Sequence, residues 1–308
     1  MIAANKLTKV FGDKVAVDGL TFEVHKGEIL GFLGPNAAGK TTTMRMLTGY
    51  FPPTSGTASI AGHDVSDESI EVRRSVGYLP EHVPLYHEMT TREFLTFAAA
   101  AKGIPGSERE KAVKLAMGRC NLGSVENQLI GTISRGYKQR VGLAQAIVNN
   151  PKVLILDEPT VGLDPAQIRD IRELIRELAE SSTVILSTHI LPEVSATCSR
   201  VIIIAEGKIK AIDTPRNLTS SLQGMARILV RVGTDSDKVS SVLGTVEGIN
   251  EVRKVEGNLY EVESDTGVDV RAELARTVIA QEWDLLELTP QSLSLEDIFL
   301  KIVRKEAN

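Results

Sequence analysis

The eight residues from Gly34 to Thr41, GPNAAGKT, constrain this chain more than any other stretch. They match G-x-x-x-x-G-K-[ST], a loop whose backbone N–H groups cradle phosphates. The apolar segment 27–33 before the loop is typical of a buried parallel strand, and the segment 42–47 after it predicts a helix. This order places phosphates at a helix N-terminus, where unpaired N–H groups and the helix dipole favour anions. Lys40 is expected to reach the β- and γ-phosphates, and Thr41 to offer its hydroxyl to Mg²⁺.

Composition narrows the class of protein. The 308 residues are 42% hydrophobic and 24% charged, which suits one large and one smaller globular domain. A net charge of -5 argues against a surface that mainly neutralises nucleic-acid phosphates. Cys120 and Cys198 lie far apart, so we expect reduced, structural thiols. No secretory signal opens the chain and no segment approaches the ~18 apolar residues of a membrane span, so at a membrane another chain would supply the spanning helices.

Alternating strands and helices predict an α/β nucleotide-binding domain over residues 1–215. A hairpin turn is expected at Gly12-Asp13. Residues 90–150 are expected to form a helical insertion, in which Ser107 occupies the N-cap position of a capping box. Asp164-Pro165 predicts a helix start, with Asp as the N-cap and Pro at the first helical position.

The segment 220–308 has a different pattern. Its strands and helices follow the order βαββαβ, the split βαβ arrangement, with a hairpin turn at Gly257-Asn258. A last amphipathic helix is expected over residues 295–304. The segment therefore predicts a small α+β accessory domain, and packing alone explains its alternating strands.

Two further motifs could carry chemistry. Asp157-Glu158 ends an apolar strand, where P-loop NTPases hold Mg²⁺ on the Asp and a following Glu can deprotonate the attacking water. Ser134 could cap a helix, and with the Gly136 N–H it would make a second phosphate-binding helix end. Taken alone, the second motif is equally well explained as a plain N-cap with a basic first turn.

In combination these motifs resemble an ABC-transporter ATPase. The resemblance spans residues 1–215 and rests on the phosphate loop followed in order by Ser134-x-Gly136, LILDEPT at 154–160, Gly162-Leu163-Asp164 and Ser187-Thr188-His189. The tail resembles the C-terminal domain on ATPase subunits of bacterial drug, antibiotic-resistance and gliding-motility exporters, which favours export over import.

The resemblance implies a role for each matching residue. Phe11 would stack on adenine, and the phosphates of ATP would be bound by Gly34, Pro35, Asn36, Ala37, Ala38, Gly39, Lys40, Thr41 and Thr42. Thr41 and Asp157 would hold Mg²⁺, the latter through water. Glu158 would be the general base, and Lys40 and His189 would contact the γ-phosphate.

The resemblance also implies partners. Ser134 and Gly136 would contact ATP held by a second ATPase subunit in a head-to-tail dimer, with Asp164 at the seam. A separate transmembrane permease would use the energy of ATP hydrolysis, which places the chain in the cytoplasm on the inner face of the cell membrane.

Four residues depart from the family pattern. Ala37 replaces a usual Gly, at a cost on the order of 1 kcal/mol if the position needs a positive φ. Arg135 and Tyr137 replace the usual Gly and Gln beside Ser134. Glu81 stands where a Gln joins the Mg²⁺ site to the helical insertion, and a carboxylate there can still ligate Mg²⁺.

Three alternative classes are open to this sequence. A nucleic-acid-associated ABC ATPase would carry a coiled-coil insertion, zinc ligands or two ATPase halves, none of which is present. A non-catalytic regulator would not need Lys40, Asp157, Glu158 and His189 together. A P-loop kinase would have no use for Ser134-x-Gly136 and His189.

Overall fold

The computed structural model describes residues 1–221, 225–236, 238–265 and 269–291. The chain divides into two compact units, Met1–Pro215 and Arg216–Asn308. The strands of the first unit are β1 (Ile2–Phe11), β2 (Lys14–Val24), β3 (Ile29–Leu33), β4 (Ser55–Ile60), β5 (His63–Asp64), β6 (Val76–Leu79), β7 (Val153–Asp157), β8 (Thr183–Thr188), β9 (Arg200–Ala205) and β10 (Lys208–Asp213). Its helices are α1 (Lys40–Leu47), α2 (Ser69–Ser75), α3 (Thr91–Ala101), α4 (Gly106–Arg119), α5 (Arg135–Ile147), α6 (Pro165–Ala179) and α7 (Leu191–Thr197).

A six-stranded sheet forms the centre of the first unit. Its strand order is β10-β9-β3-β8-β7-β6, parallel except for β10. Every residue of β7 is buried, because its apolar side chains face the core on both sides of the sheet. The carboxyl ends of β3, β8 and β7 meet at one edge of this sheet, which confirms the predicted α/β class and brings three sequence motifs together.

A second, antiparallel sheet has the order β2-β1-β4-β5. The predicted turn at Gly12-Asp13 is confirmed, since Phe11 pairs with Lys14 across it. The strands are longer than the sequence suggested: β2 continues from Lys14 to Val24 without a break. Register shifts between β1 and β2 absorb the polar residues that interrupt the alternation of this hairpin.

The helical insertion contains α3, α4 and α5. The predicted N-cap role of Ser107 is wrong, because α4 begins at Gly106 after Pro105 and has no side-chain capping bond. The fixed φ of -55° at Pro105 sets the helix entry, and its carbonyl accepts the N–H groups of Glu108 and Arg109. The capping box of this insertion lies at α3, between Thr90 and Glu93.

Both cysteines are buried free thiols, as expected from their spacing. Burial raises the pKa of Cys120 to about 12 and that of Cys198 to about 12. The ordinary value is 9.0, so both side chains stay protonated near neutral pH.

The second unit has the predicted βαββαβ order. Following α8 (Pro215–Ser221), its elements are β11 (Met225–Val232), α9 (Lys238–Leu243), β12 (Ile249–Glu256), β13 (Leu259–Asp265), α10 (Arg271–Ala280) and β14 (Leu285–Gln291). They form an antiparallel sheet of order β12-β13-β11-β14, with a buried core around Tyr260. The predicted hairpin at Gly257-Asn258 is confirmed by the pairing of β12 with β13. The helix predicted over 295–304 lies outside the described residues.

Within the described ranges, no helix combines the length and the apolar character that crossing a bilayer requires.

Lys102, just after α3, carries a half-buried amine that donates to the Val76 carbonyl at 2.9 Å. Burial lowers the pKa of Lys102 to about 8 from an ordinary 10.5, so the folded state binds this proton less tightly than the unfolded chain. We expect Lys102→Met to raise the thermal midpoint at pH 7 by about 2 °C or more. This advantage should shrink as the pH rises from about 8 to 10.5. Over this range the wild-type amine is neutral in the folded state and still charged in the unfolded chain, so the stability of the wild type rises with pH.

Thermal melts at pH 7 and pH 9.5 test this expectation. Lys114→Met, at an exposed lysine of α4, is the matched control and should show no such pH-dependent gain. A constant difference between Lys102→Met and wild type at both pH values would contradict the assignment.

Candidate functional site

The phosphate loop connects β3 to α1 at the carboxyl edge of the central sheet. Two glycines are required by close approach of the backbone: a Cβ at Gly34 would lie 2.3 Å from the Ile204 carbonyl oxygen, and one at Gly39 would lie 2.7 Å from that of Ala16. Gly39 also has a φ of 105°, and α1 begins at the next residue, Lys40. The loop therefore presents the N-terminus of α1 to the solvent-filled cavity above it.

Ala37 has a φ of 63°, in the left-handed region that glycine adopts most easily. The family's usual glycine at this position thus matches the backbone that this chain also adopts. A Cβ in this conformation is strained but tolerated.

Three charged or titratable side chains meet beside the loop. Lys40 Nζ lies 3.3 Å from Glu158 Oε1, and both side chains are only 6% exposed. His189 Nδ1 lies 2.9 Å from the other oxygen, Glu158 Oε2. Lys40 Nζ also donates to the carbonyl oxygens of Gly34 at 2.7 Å and Pro35 at 3.3 Å. The lysine is therefore folded back over its own loop and paired with Glu158.

Glu158 directly follows the last residue of β7. Its φ of 50° turns the chain sharply out of the strand, and its N–H donates to the Ser187 carbonyl of β8 at 3.0 Å. Non-glycine residues with such a φ are uncommon and concentrate at functional positions.

Asp157, the preceding residue, is completely buried. Burial raises the pKa of its carboxyl, the charges of Glu158 and Glu81 raise it further, and hydrogen bonds from Ser187 and Thr41 lower it. The Ser187 hydroxyl donates to Oδ1, whereas Oδ2 has no hydrogen-bond partner among the described residues. An unpartnered buried carboxylate oxygen next to Thr41 is suited to a hard cation.

A cavity of about 690 Å³ opens over these groups. Predicted site residues that line it are Phe11, Asn36, Ala37, Ala38, Gly39, Lys40, Thr41, Thr42, Glu81, Glu158 and His189. Phe11 is 43% exposed at its mouth. Its ring packs edge-on against Phe51 at 5.4 Å between centroids, and Lys9 Nζ lies 5.2 Å from its centroid. One aromatic surface therefore remains available to a planar ligand.

The other predicted residues do not line this cavity. Ser134 caps α5 by accepting the Tyr137 N–H at 3.4 Å, and Gly136 is buried in the first turn of that helix. Asp164 caps α6, accepting the N–H groups of Ala166 and Gln167. Both predicted N-caps are confirmed, and Ser134 is exposed at the N-terminus of α5, outside the lining of the cavity.

Sequence reasoning missed several supporting residues. Ser187 was named in a motif without a role of its own, and its hydroxyl hydrogen-bonds Asp157. Glu193 was not predicted and accepts the Thr188 hydroxyl next to His189 at 3.1 Å. The contact of Arg135 with the loop after Glu158 was also missed. Ser187 was detectable, since it precedes Thr188-His189 at the end of a strand that pairs with β7.

A second cavity of about 790 Å³ lies between α3 and the segment around α2 and β6. Four of its lining side chains are large, apolar and exposed: Tyr50 at 68%, Ile70 at 61%, Tyr86 at 48% and Phe97 at 46%. Among the described residues that line it, the charged ones are all basic: Arg73, Arg74 and Lys102. We call this surface the α3 groove.

Ala37→Gly tests the strain in the phosphate loop. Glycine relieves the left-handed conformation, so the free energy of unfolding should rise by up to about 1 kcal/mol in urea denaturation. Ala38→Gly is the control at the adjacent residue, which has no positive φ and is 3% exposed; it should destabilise. A loss of stability in both variants would contradict the strain.

Comparisons with known proteins identify the family. The family model "ABC transporter" matches residues 17–161. The chain is 37% identical over 305 residues to a Bacillus subtilis protein named "Uncharacterized ABC transporter ATP-binding protein YdbJ", covering 96% of this chain and 92% of that protein. It is 32% identical to the "Linearmycin resistance ATP-binding protein LnrL" of the same species, covering 98% of each.

Solved structures agree with these matches. A structure described as the ATP-binding subunit of an ABC transporter aligns with 72% of this chain at a TM-score of 0.65 and 31% identity, covering 92% of that chain. The dimeric structure of MJ0796, a bacterial ABC transporter cassette, aligns with 70% of this chain at a TM-score of 0.64 and 25% identity, covering 98% of that chain. Because relatives match along nearly the whole length, the chain belongs to the ABC transporter family as an ATP-binding subunit, an ATP hydrolase that powers transport.

Proposed function

We propose that ATP occupies the 690 Å³ cavity, with its phosphates on the N-terminus of α1, its adenine on Phe11 and Glu158 as the general base. The observation that carries this assignment is that Lys40 Nζ at 3.3 Å and His189 Nδ1 at 2.9 Å contact the two carboxylate oxygens of Glu158 beside the phosphate loop. A carboxylate poised next to a phosphate-binding helix end has the chemistry needed to orient and deprotonate water.

Nucleotide binding would itself release the base. Lys40 Nζ lies 3.3 Å from Glu158 Oε1 and neutralises its charge. Phosphate oxygens of the nucleotide would compete for the Lys40 ammonium. Glu158 would then contact a water in place of Lys40 and keep its contact with His189. Water then attacks the γ-phosphorus, Glu158 accepts a water proton, and the bond to the β–γ bridging oxygen breaks to give ADP and phosphate.

The residues at the carboxyl edge also fit Mg²⁺. Asp157 offers its unpartnered Oδ2, Thr41 lies within hydrogen-bond reach of the same carboxyl, and Glu81 adds a second carboxylate at the cavity wall. When bound, the ion would neutralise charge on the β- and γ-phosphates. Glu81 would make the site one charge more acidic than the family's usual Gln does.

A second copy or a related subunit would complete the site. Ser134, Gly136 and Asp164 lie outside the lining of the cavity, although the family pattern assigns them to ATP or to the seam. The exposed N-terminus of α5 offers backbone N–H groups and the Ser134 hydroxyl to phosphates held by another chain. We therefore favour a head-to-tail dimer with two ATP molecules at its interface.

The α3 groove is the surface we assign to the transmembrane permease. Its exposed side chains Tyr50, Ile70 and Phe97 would be buried against apolar side chains of the permease. Its basic lining favours a permease segment that carries carboxylates. The groove borders both the helical insertion and the strand that leads to Glu81. Docking there would hold the chain on the inner, cytoplasmic face of the membrane, and the tail favours an exporter.

The two compact units support separate roles for the two parts of the chain. We assign residues 1–215 to the ATPase domain, with 90–150 as its helical subdomain, and residues 220–308 to an accessory domain. The split βαβ sheet of the second unit is explained by packing around Tyr260, and no catalytic role is assigned to it.

Glu158→Gln tests the base and the dimer together. We expect hydrolysis to fall by about 10²-fold or more, since the amide cannot accept the proton, while ATP binding persists. Light scattering with Mg-ATP should then show a trapped dimer. Glu180→Gln, at an exposed glutamate after α6, is the control and should hydrolyse normally. Wild-type hydrolysis by Glu158→Gln would overturn the base assignment, and an ATP-bound monomer would show that another subunit is needed.

Phe97→Asp tests the α3 groove. A carboxylate placed in the apolar part of the groove should reduce the fraction of the chain that sediments with membranes of cells producing its permease, by about tenfold. Leu115→Asp changes a more exposed apolar residue of α4 outside the groove and should leave that fraction unchanged. Equal membrane binding by Phe97→Asp and Leu115→Asp would remove the groove as the docking surface.

A further inference from the structure

The first turn of α5 holds the loop that follows Glu158. Arg135 Nη2 donates to the Val161 carbonyl at 3.1 Å, and Gln139 Nε2 donates to the Pro159 carbonyl at 2.8 Å. Val161 itself lines the 690 Å³ cavity. A side chain from the helix that carries Ser134 therefore contacts the wall of the chain's own nucleotide cavity.

This contact depends on a glycine. At Gly162 a Cβ would lie 2.1 Å from Arg135 Cζ and 2.4 Å from each terminal nitrogen. The guanidinium thus lies directly on the backbone of Gly162, whose φ of 73° also favours glycine. The contact between the Arg135 guanidinium and this backbone therefore needs a residue without a Cβ at position 162.

Both ends of the loop are anchored as well. The Glu158 N–H donates to β8, and Asp164 caps α6. Arg135 and Gln139 fix the middle of the same loop to α5. A displacement of the α5 N-terminus would therefore move Val161, whose N–H donates to the Glu158 carbonyl at 3.3 Å, and with it the position of Glu158.

We propose that Arg135 is a positioning residue for hydrolysis, which links the α5 N-terminus to the loop that carries Glu158. This inference rests on the proposed function, in which Ser134 binds the nucleotide of a second subunit. Occupancy of that subunit's site would then be transmitted through Arg135 to the base of the chain's own site. The shared ATP interface already couples the two sites, and Arg135 would add a direct contact between the α5 N-terminus and the loop after Glu158.

Steady-state ATP hydrolysis by the full chain tests the proposal, with wild type, Arg135→Ala, Arg135→Lys and the control Arg169→Ala. Arg169 is an exposed arginine of α6. We expect kcat of Arg135→Ala to fall about tenfold with KM for ATP within about twofold of wild type, because Glu158 is misplaced while the phosphate loop is intact. The Hill coefficient for ATP should fall from above one toward one. Arg135→Lys, which keeps one donor, should recover part of kcat.

A double-mutant cycle tests the contact itself. Gly162→Ala should reduce kcat strongly in the presence of Arg135, because the new methyl group meets the guanidinium. In the Arg135→Ala background the same change should cost less, since only the backbone strain remains. Additive effects would overturn the proposed pairing.

The role of Arg135 and the proposed function can be contradicted independently of each other. If Glu158→Gln traps a dimer but Arg135→Ala keeps the kcat and Hill coefficient of wild type, the role of Arg135 is overturned and the proposed function stands. A Hill coefficient of one in the wild type would overturn the link between sites. If Glu158→Gln hydrolyses ATP normally, the proposed function fails first.

Discussion

The candidate site depends on the buried ion pair between Lys40 and Glu158. Two charges that are each 6% exposed would be costly to desolvate separately, so each needs the other. Their meeting requires the phosphate loop after β3 and the end of β7 to share one edge of the sheet, with β8 between them to supply His189. The ion pair therefore forms only with this order of strands. In the proposed function it neutralises the charge of Glu158 until a phosphate takes the place of Glu158 beside Lys40.

Much of this arrangement could be predicted because parallel strands bring their carboxyl ends together. The apolar run of β7 followed by Asp157-Glu158, and the phosphate loop after β3, placed both motifs at one sheet edge without knowledge of any contact. The N-caps were predictable because capping is local: Ser134 and Asp164 each accept backbone N–H groups within three residues of themselves.

The remaining features depend on contacts that are distant in sequence. The N-cap pattern at Ser107 was overridden by Pro105, which places the N-cap two residues earlier. Helices α2 and α7 are each seven residues long and were missed, because short helices are held by packing and not by propensity. The register shifts of the first hairpin and the contact of Arg135 with Gly162 likewise follow from three-dimensional neighbours that no sequence periodicity reveals.

The burial of both thiols has a practical consequence for spectroscopy. The thiolate is the form of cysteine that attacks alkylating and spin-labelling reagents, and Cys120 and Cys198 remain thiols inside the core with pKa values raised to about 12. A reporter cysteine placed on an exposed helix would therefore be modified selectively in the otherwise native sequence. Distances between labelled subunits can then be followed through a catalytic cycle without first removing the two native cysteines and the core packing that they supply.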